Sequence, residues 1–205
     1  MRIRLLIPIL GGARAGFTVC LANLVSHTVL ETRAEVTAHT VSISSLTVAR
    51  NTLLDMALKR GADHVLWLDS DHTFPSDALL RLLAHGKEAV AANYPRREMP
   101  ITATAARDGR LVEPKAEGLE EVDSAGLGLF LLDMAVMAKL QRHADETGQP
   151  LWPLFKEEWS EGPAVTGEDR YFCSRLKAAG IPIHIDHNLS NEVGHIAETV
   201  LRFPR

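Results

Sequence analysis

Cysteine is scarce in this 205-residue chain: Cys20 and Cys173 stand far apart and lack the close spacing of metal ligands. That excludes a disulfide framework and a zinc module, and it marks both as buried or free thiols of a reducing, cytoplasmic compartment. No apolar run reaches the ~18 residues of a membrane span. Charge of one sign is missing too. With 22 Lys and Arg against 26 Asp and Glu, the formal net charge is -4, and no global basic field recruits nucleic acid. No internal repeat, low-complexity tract or linker-like segment divides the chain. "MRIRLLIPILGGARA" imitates a signal peptide, down to Ala13-Arg14-Ala15. Its apolar run, Leu5 to Leu10, is short and contains Pro8, so it reads as a first core strand.

What is present is an ordinary globular composition, 46% hydrophobic and 23% charged. The length suits one domain over residues 1–205 that buries its own core. Strands are expected over 3–9 and 34–43, with a helix over 15–30 between them. From Leu46, apolar residues Ala49, Leu53, Ala57 and Leu58 recur at helical spacing, and Gly61 follows as a stop. Residues 64–69 form a continuous apolar strand. "PSDALLRLLAHG" predicts a second clear helix, with Asp77 at its positive end and Gly86 at its stop. Residues 88–92 give another strand. This alternation predicts an α/β layered fold with a mainly parallel sheet.

After residue 92 the rhythm breaks. Short β-like pieces fill 93–123, "AGLGLFLL" (125–132) reads as a strand, and a helix is expected over 133–145. A loop with Trp152, Pro153 and Trp159 precedes "TGEDRYFCSRLKAAG", a helix in which Thr166 and Asp169 suit a capping box. "IPIHID" and "NEVGHI" end the pattern.

The chemistry concentrates in "HVLWLDSDHTFPSDALLRLL", residues 64–83. Asp69 and Asp71 stand directly after a buried strand. With 11 aspartates in the chain, chance alone supplies about 0.6 Asp-x-Asp triplets, so position carries the weight. In open α/β sheets, ligands bind beyond the carboxyl ends of strands. If the chain stays extended there, Asp69 and Asp71 share a face. Two such carboxylates repel unless a proton or cation intervenes, and their oxygens suit Mg2+ or Mn2+. Solvated acids at a strand end, or Asp71 capping a turn, are the alternative.

"LDSDHTF" is similar to the opening motif of haloacid dehalogenase-like phosphatases, which would make Asp69 a nucleophile. That motif usually has glycine where His72 stands, and it ends the first core strand rather than a later one. "ARN" (49–51), "ADHVLWLDSD" (62–71), "FPSDALLRLL" (74–83), "GLGLFLL" (126–132), "GEDRYFCSRLKAAGIPI" (167–183) and "VGHI" (193–196) together resemble GT-A fold glycosyltransferases of the family 2-like group, in order and approximate spacing.

That resemblance implies a GT-A, Rossmann-like three-layer sandwich. Residues 1–92 would bind a nucleoside-diphosphate sugar, and 93–205 would face the acceptor. Asp71 and His195 would hold Mn2+ or Mg2+, with Asp69 on the metal or the ribose. His184 and His187 compete with His195. Arg50 and Asn51, opening their helix, and the first loop, with Gly11 and Arg14, would meet the nucleotide. Asp169, paired with Glu168, would serve as catalytic base. Gly126 and Gly128 would flank the acceptor pocket or pack closely against another backbone. The acceptor is open: a small molecule, a protein, or a modified nucleobase near Arg96 and Arg97. A non-catalytic protein that binds nucleotide sugar is the third reading.

Overall fold

The computed structural model of the protein describes residues 1–159 and 165–197. Strand β1 (Arg2–Ile9) leads to helix α1 (Ala15–Thr32), β2 (Glu35–Ser42), α2 (Leu46–Lys59) and β3 (His64–Leu68). A turn gives β4 (His72–Thr73), then α3 (Ala78–Ala84) and β5 (Ala89–Ala91). The short β6 (Ala106–Arg107) and β7 (Arg110–Leu111) precede β8 (Leu119–Val122), β9 (Leu129–Asp133) and α4 (Val136–Thr147). A ribbon of β10 (Glu158–Trp159) and β11 (Val165–Thr166) comes before α5 (Glu168–Ala178) and β12 (Ile183–Asp186). Then come α6 (His187–Ser190) and β13 (Gly194–His195).

Seven strands make one sheet in the order β2-β1-β3-β9-β5-β12-β8. β1 pairs in parallel with β2 and β3, and β5 with β12. β9 inserts antiparallel between β3 and β5, and β8 runs antiparallel to β12 at the edge. Thus β1, β2, β3, β5 and β12 point one way, as the strand–helix rhythm predicts. An antiparallel strand needs no crossover helix, which is why that rhythm fails after residue 92. Because β9 lies between β3 and β5, strands from before and after residue 92 share one sheet.

Side chains alternate across a strand, and β3 shows what that does here. Val65 and Trp67 enter a core layer with Leu53 and Leu54 of α2 and Phe172 and Leu176 of α5. Leu66 and Leu68 enter the opposite layer with Phe17 and Leu24 of α1 and Leu79 and Leu82 of α3. β3 is apolar throughout because both its faces are covered. Among the described residues, no helix is long and apolar enough to cross a membrane.

Three boundaries differ from expectation for local reasons. α4 starts at Val136 because β9 runs to Asp133, whose carboxylate accepts the Ala135 N–H at 2.8 Å. The capping box of Thr166 and Asp169 does not form: the N-cap is Gly167, without a side-chain cap. β9 starts at Leu129 because the preceding "GLG" is pressed against two rings. A Cβ on Gly126 would lie 2.2 Å from Tyr94 Oη, and one on Gly128 would lie 2.6 Å from His72 Cε1 and 2.8 Å from Tyr94 Cζ.

Tyr94 and His72 are buried, so neither ring can move aside without disturbing the core. Gly128→Ala is therefore expected to cost about 1–3 kcal/mol, as overpacking does, read as a lower urea midpoint. Gly167→Ala, whose Cβ would meet nothing within 4 Å, is the control. Equal losses in the two variants would contradict the steric account.

Candidate functional site at the carboxyl edge of the sheet

Beyond β3 the chain turns instead of staying extended. The His72 N–H donates to Asp69 O (3.3 Å), and the turn is tied to the first loop by Arg14 N–H donating to Ser70 O (3.0 Å). Asp69 and Asp71 still line one cleft of about 220 Å³ with Gly11, Gly12 and Arg14. The turn gives them different partners, and the expected shared face is lost.

Asp71 belongs to a carboxylate–imidazole cluster. β4 pairs antiparallel with β13, setting His195 opposite His72, and Ile196 N–H donates to Asp71 O at 2.8 Å. The two imidazoles stack with centroids 4.3 Å apart and planes 21° apart. His72 Nδ1 lies 3.2 Å from Asp71 Oδ1, and His195 Nε2 lies 3.5 Å from Asp71 Oδ2. The other His195 nitrogen, Nδ1, is 3.0 Å from Pro95 O, which favours that nitrogen as donor and leaves Nε2 facing Asp71. Burial would raise the Asp71 carboxyl, but the His195 and His72 imidazoles hold it far below the usual carboxylate range. Arg97 Nη1 reaches the same Oδ2 at 3.0 Å.

Asp69 belongs to a second cluster built on Arg50. Ser45 caps α2 by accepting the Val48 N–H, so the helix begins at Leu46 and Arg50 falls in its second turn rather than opening it. There it is buried, with its guanidinium 5.4 Å from the Trp67 ring centroid. Arg50 Nη2 meets Asp69 Oδ1 at 3.2 Å and Asp169 Oδ1 at 3.4 Å, and Nε meets Glu168 Oε1 at 3.4 Å. Burial opposes the guanidinium charge, and the three carboxylates outweigh it. Asp169 Oδ2 accepts the Leu127 N–H at 3.1 Å. Burial is the largest influence on the Asp169 carboxyl. Arg50 opposes it, while Glu168 and Asp69 add to it, and the net is a rise to about 7. Its side chain remains 27% exposed, which leaves it within reach of a ligand.

The remaining expected residues divide. Gly11 (φ 81°) is in the left-handed region and has open space around it. Asn51 makes four hydrogen bonds: Nδ2 donates to Thr47 O and Phe155 O, and Oδ1 accepts from Leu154 and Phe155 N–H. These saturate its amide and make it a clasp for the 154–155 loop, a correction to the expected nucleotide contact. Of the three histidines weighed, His195 is the one beside Asp71. His187 Nε2 sits 2.9 Å from Glu120 Oε2, and His184 lies within β12. Arg96 faces Glu98 at 4.0 Å and Arg97 faces Asp71, so this pair forms no open basic patch. Trp152 and Trp159 are both exposed, Trp159 on the β10–β11 ribbon.

Sequence reasoning did not bring His72, Tyr94 or Arg97 to Asp71, and it weighed Arg97 only as part of the loop after β5. His72 and His195 are brought together by β4–β13 pairing, two residues on each side, too short to leave a period in the sequence. Tyr94 is fixed by a long-range bond, its Oη accepting the Gly128 N–H at 2.9 Å. A histidine directly after an Asp-x-Asp triplet is the one signal that pointed at the cluster.

No protein-family model and no curated protein sequence matches this chain. Among the solved structures similar in fold are two that cover nearly the whole chain. "A197 from STIV" aligns at TM-score 0.55 and 15% identity, over 100% of this chain and 99% of that one. A structure of GalNAc-T7 with UDP, GalNAc and Mn2+ aligns at TM-score 0.55 and 11% identity, over 95% of this chain. The chain spans 44% of the GalNAc-T7 chain. At these identities the likeness establishes the fold: a GT-A-like α/β architecture with a large, mainly parallel sheet.

Proposed function

We propose that this protein is a metal-dependent glycosyltransferase that uses a nucleoside-diphosphate sugar. The observation that carries the reading is the Asp71–His72–His195 cluster at the carboxyl edge of a GT-A-like sheet. Its ligand atoms lie within 4.8 Å of one another, and His72 Nε2 is buried without a hydrogen-bond partner. A carboxylate held ionised beside two imidazoles is a donor set that suits Mn2+ better than Mg2+. The likeness to GalNAc-T7, solved with UDP, GalNAc and Mn2+, supports the same reading.

Under this proposal Asp71, His195 and His72 hold the ion. When bound, a divalent cation supplies charge neutralisation for a departing diphosphate. Gly11, with no side chain, lets the diphosphate approach the backbone, and Arg14 meets it as a cation. Asp69 faces the ribose and is held in place by Arg50. The same guanidinium holds Glu168 and Asp169, so it sets donor-side and acceptor-side carboxylates at a fixed separation. Asp169 is the proposed base for an acceptor hydroxyl. The dehalogenase-like phosphatase alternative gains no support from this geometry, because Asp69 is ion-paired to a buried arginine and is not a free nucleophile.

Three outcomes test the proposal. Thermal shift with nucleoside diphosphates and nucleotide sugars should show stabilisation that depends on Mn2+ and is lost in Asp71→Ala. No binding by any of them with Mn2+ present defeats the reading. Transfer, measured as kcat/KM against pH, should rise through about 7, the raised value of Asp169. The sign follows from its role: a base acts only when ionised, and a raised carboxyl stays protonated in mild acid. An acid limb near 4, the ordinary carboxylate range, would remove Asp169 from that role. Arg50→Met should cost about 2–4 kcal/mol by leaving partly buried carboxylates unpaired, read in urea melts. Arg50→Lys should recover little of that, since one ammonium lacks the guanidinium's fork.

A further inference from the structure

We infer that Arg97 is the internal counter-cation of the metal cluster: it occupies Asp71 in the metal-free protein, is displaced when a divalent ion binds, and then serves the diphosphate. This rests on the metal-dependent reading above and names a positioning residue that the reading leaves out.

The argument starts from one oxygen. Asp71 Oδ2 faces both Arg97 Nη1 at 3.0 Å and His195 Nε2 at 3.5 Å, while Oδ1 faces His72 Nδ1 at 3.2 Å. Among the described residues facing Asp71, the two histidines and Arg97, only Arg97 carries a permanent positive charge, and its Nη1 is the nearest of the three to Oδ2. An ion ligated by Asp71 and His195 would share that oxygen with a second cation. Like charges a few ångströms apart repel, so only one of the two can remain.

Arg97 is built to yield. Its side chain is 49% exposed, and it belongs to the 95–103 loop, which the Pro95–Ala103 bridge closes at its base. Asp71 is the acid with which it pairs among the described residues. Arg50, by contrast, is 1% exposed and has three carboxylates, so it cannot leave. Arg97 also lines the same cleft as Gly11, Gly12 and Arg14. Once off Asp71, its planar fork faces the space where a diphosphate would lie, the geometry that guanidinium recognises.

The inference gives opposite signs for two ligands in one variant. Isothermal titration of Mn2+ alone into Arg97→Ala should show affinity about two- to fivefold tighter than in the unaltered protein, the scale of one partly exposed ion pair. At saturating Mn2+, UDP should bind the same variant about tenfold or more weakly, the scale of a charged hydrogen bond. Arg97→Lys should fall between the two proteins for both ligands. Unchanged or weaker Mn2+ binding in Arg97→Ala overturns the inference while leaving the transferase reading intact. Failure of the unaltered protein to bind Mn2+, alone or with nucleotide, overturns both. Circular dichroism and melting of Arg97→Ala should match the unaltered protein, because the side chain is half-exposed and surface ion pairs contribute little to stability.

Discussion

Three carboxylates converge on one buried guanidinium, and most of the site depends on that charge balance. Asp69 comes from the end of β3, Glu168 and Asp169 from the first turn of α5, and Arg50 from α2. Desolvating any one of these charges alone would cost several kcal/mol, so the four residues stabilise the fold only as a group. The stack of Arg50 over Trp67 and the edge contact of Trp67 with Phe155, at 5.2 Å, carry the constraint into the core. Asn51, one residue along the same helix, clasps the 154–155 backbone. The helix that supplies the charge thus also fixes the loop beside it.

The second cluster depends on close approach instead of charge balance. The Asp69 N–H donates to Gly128 O at 3.1 Å, extending the β3–β9 ladder one step past both strands. At that step Gly128 leaves room for His72 and Tyr94. His72 is then wedged between Tyr94 and His195, with ring centroids 4.3 Å away on both sides. A buried imidazole nitrogen without a hydrogen-bond partner, as at His72 Nε2, is costly. Its persistence here is understandable if the ring serves a ligand, which is why this histidine carries the functional proposal.

Much of the fold was legible because it is local. The apolar run of residues 64–68 and the helical spacing from Leu46 through Leu58 are periodic signals, and Gly61 and Gly86 do take the left-handed conformation expected of stops (φ 64° and 58°). The antiparallel entry of β9 was not legible, since an apolar strand reads the same in either direction. The site was partly legible. Asp71 and His195 lie side by side, whereas Arg50, expected at the nucleotide, is buried against Asp69, Glu168 and Asp169. Their grouping was hidden by one turn: residues 70 and 71 leave the extended conformation, so a period-of-two argument put both aspartates in one clamp. Asn51 misled because its neighbour's function was extended to it, whereas helical geometry points adjacent residues in different directions.

The divergence of the two aspartates has a physical rationale. Asp69 is satisfied permanently, by an arginine that cannot leave. Asp71 faces two imidazoles and an exposed arginine on a loop, and that arginine can leave. A pair sharing one face would have to exchange both partners whenever a cation came or went, and the buried end of β3 would carry uncompensated charge in between. Placing a fixed counter-ion on one acid and an exchangeable one on the other confines that exchange to the cleft. The Asp-x-Asp triplet is then two sites with separate duties, one anchoring the sheet edge to α2 and α5, and one open to a ligand.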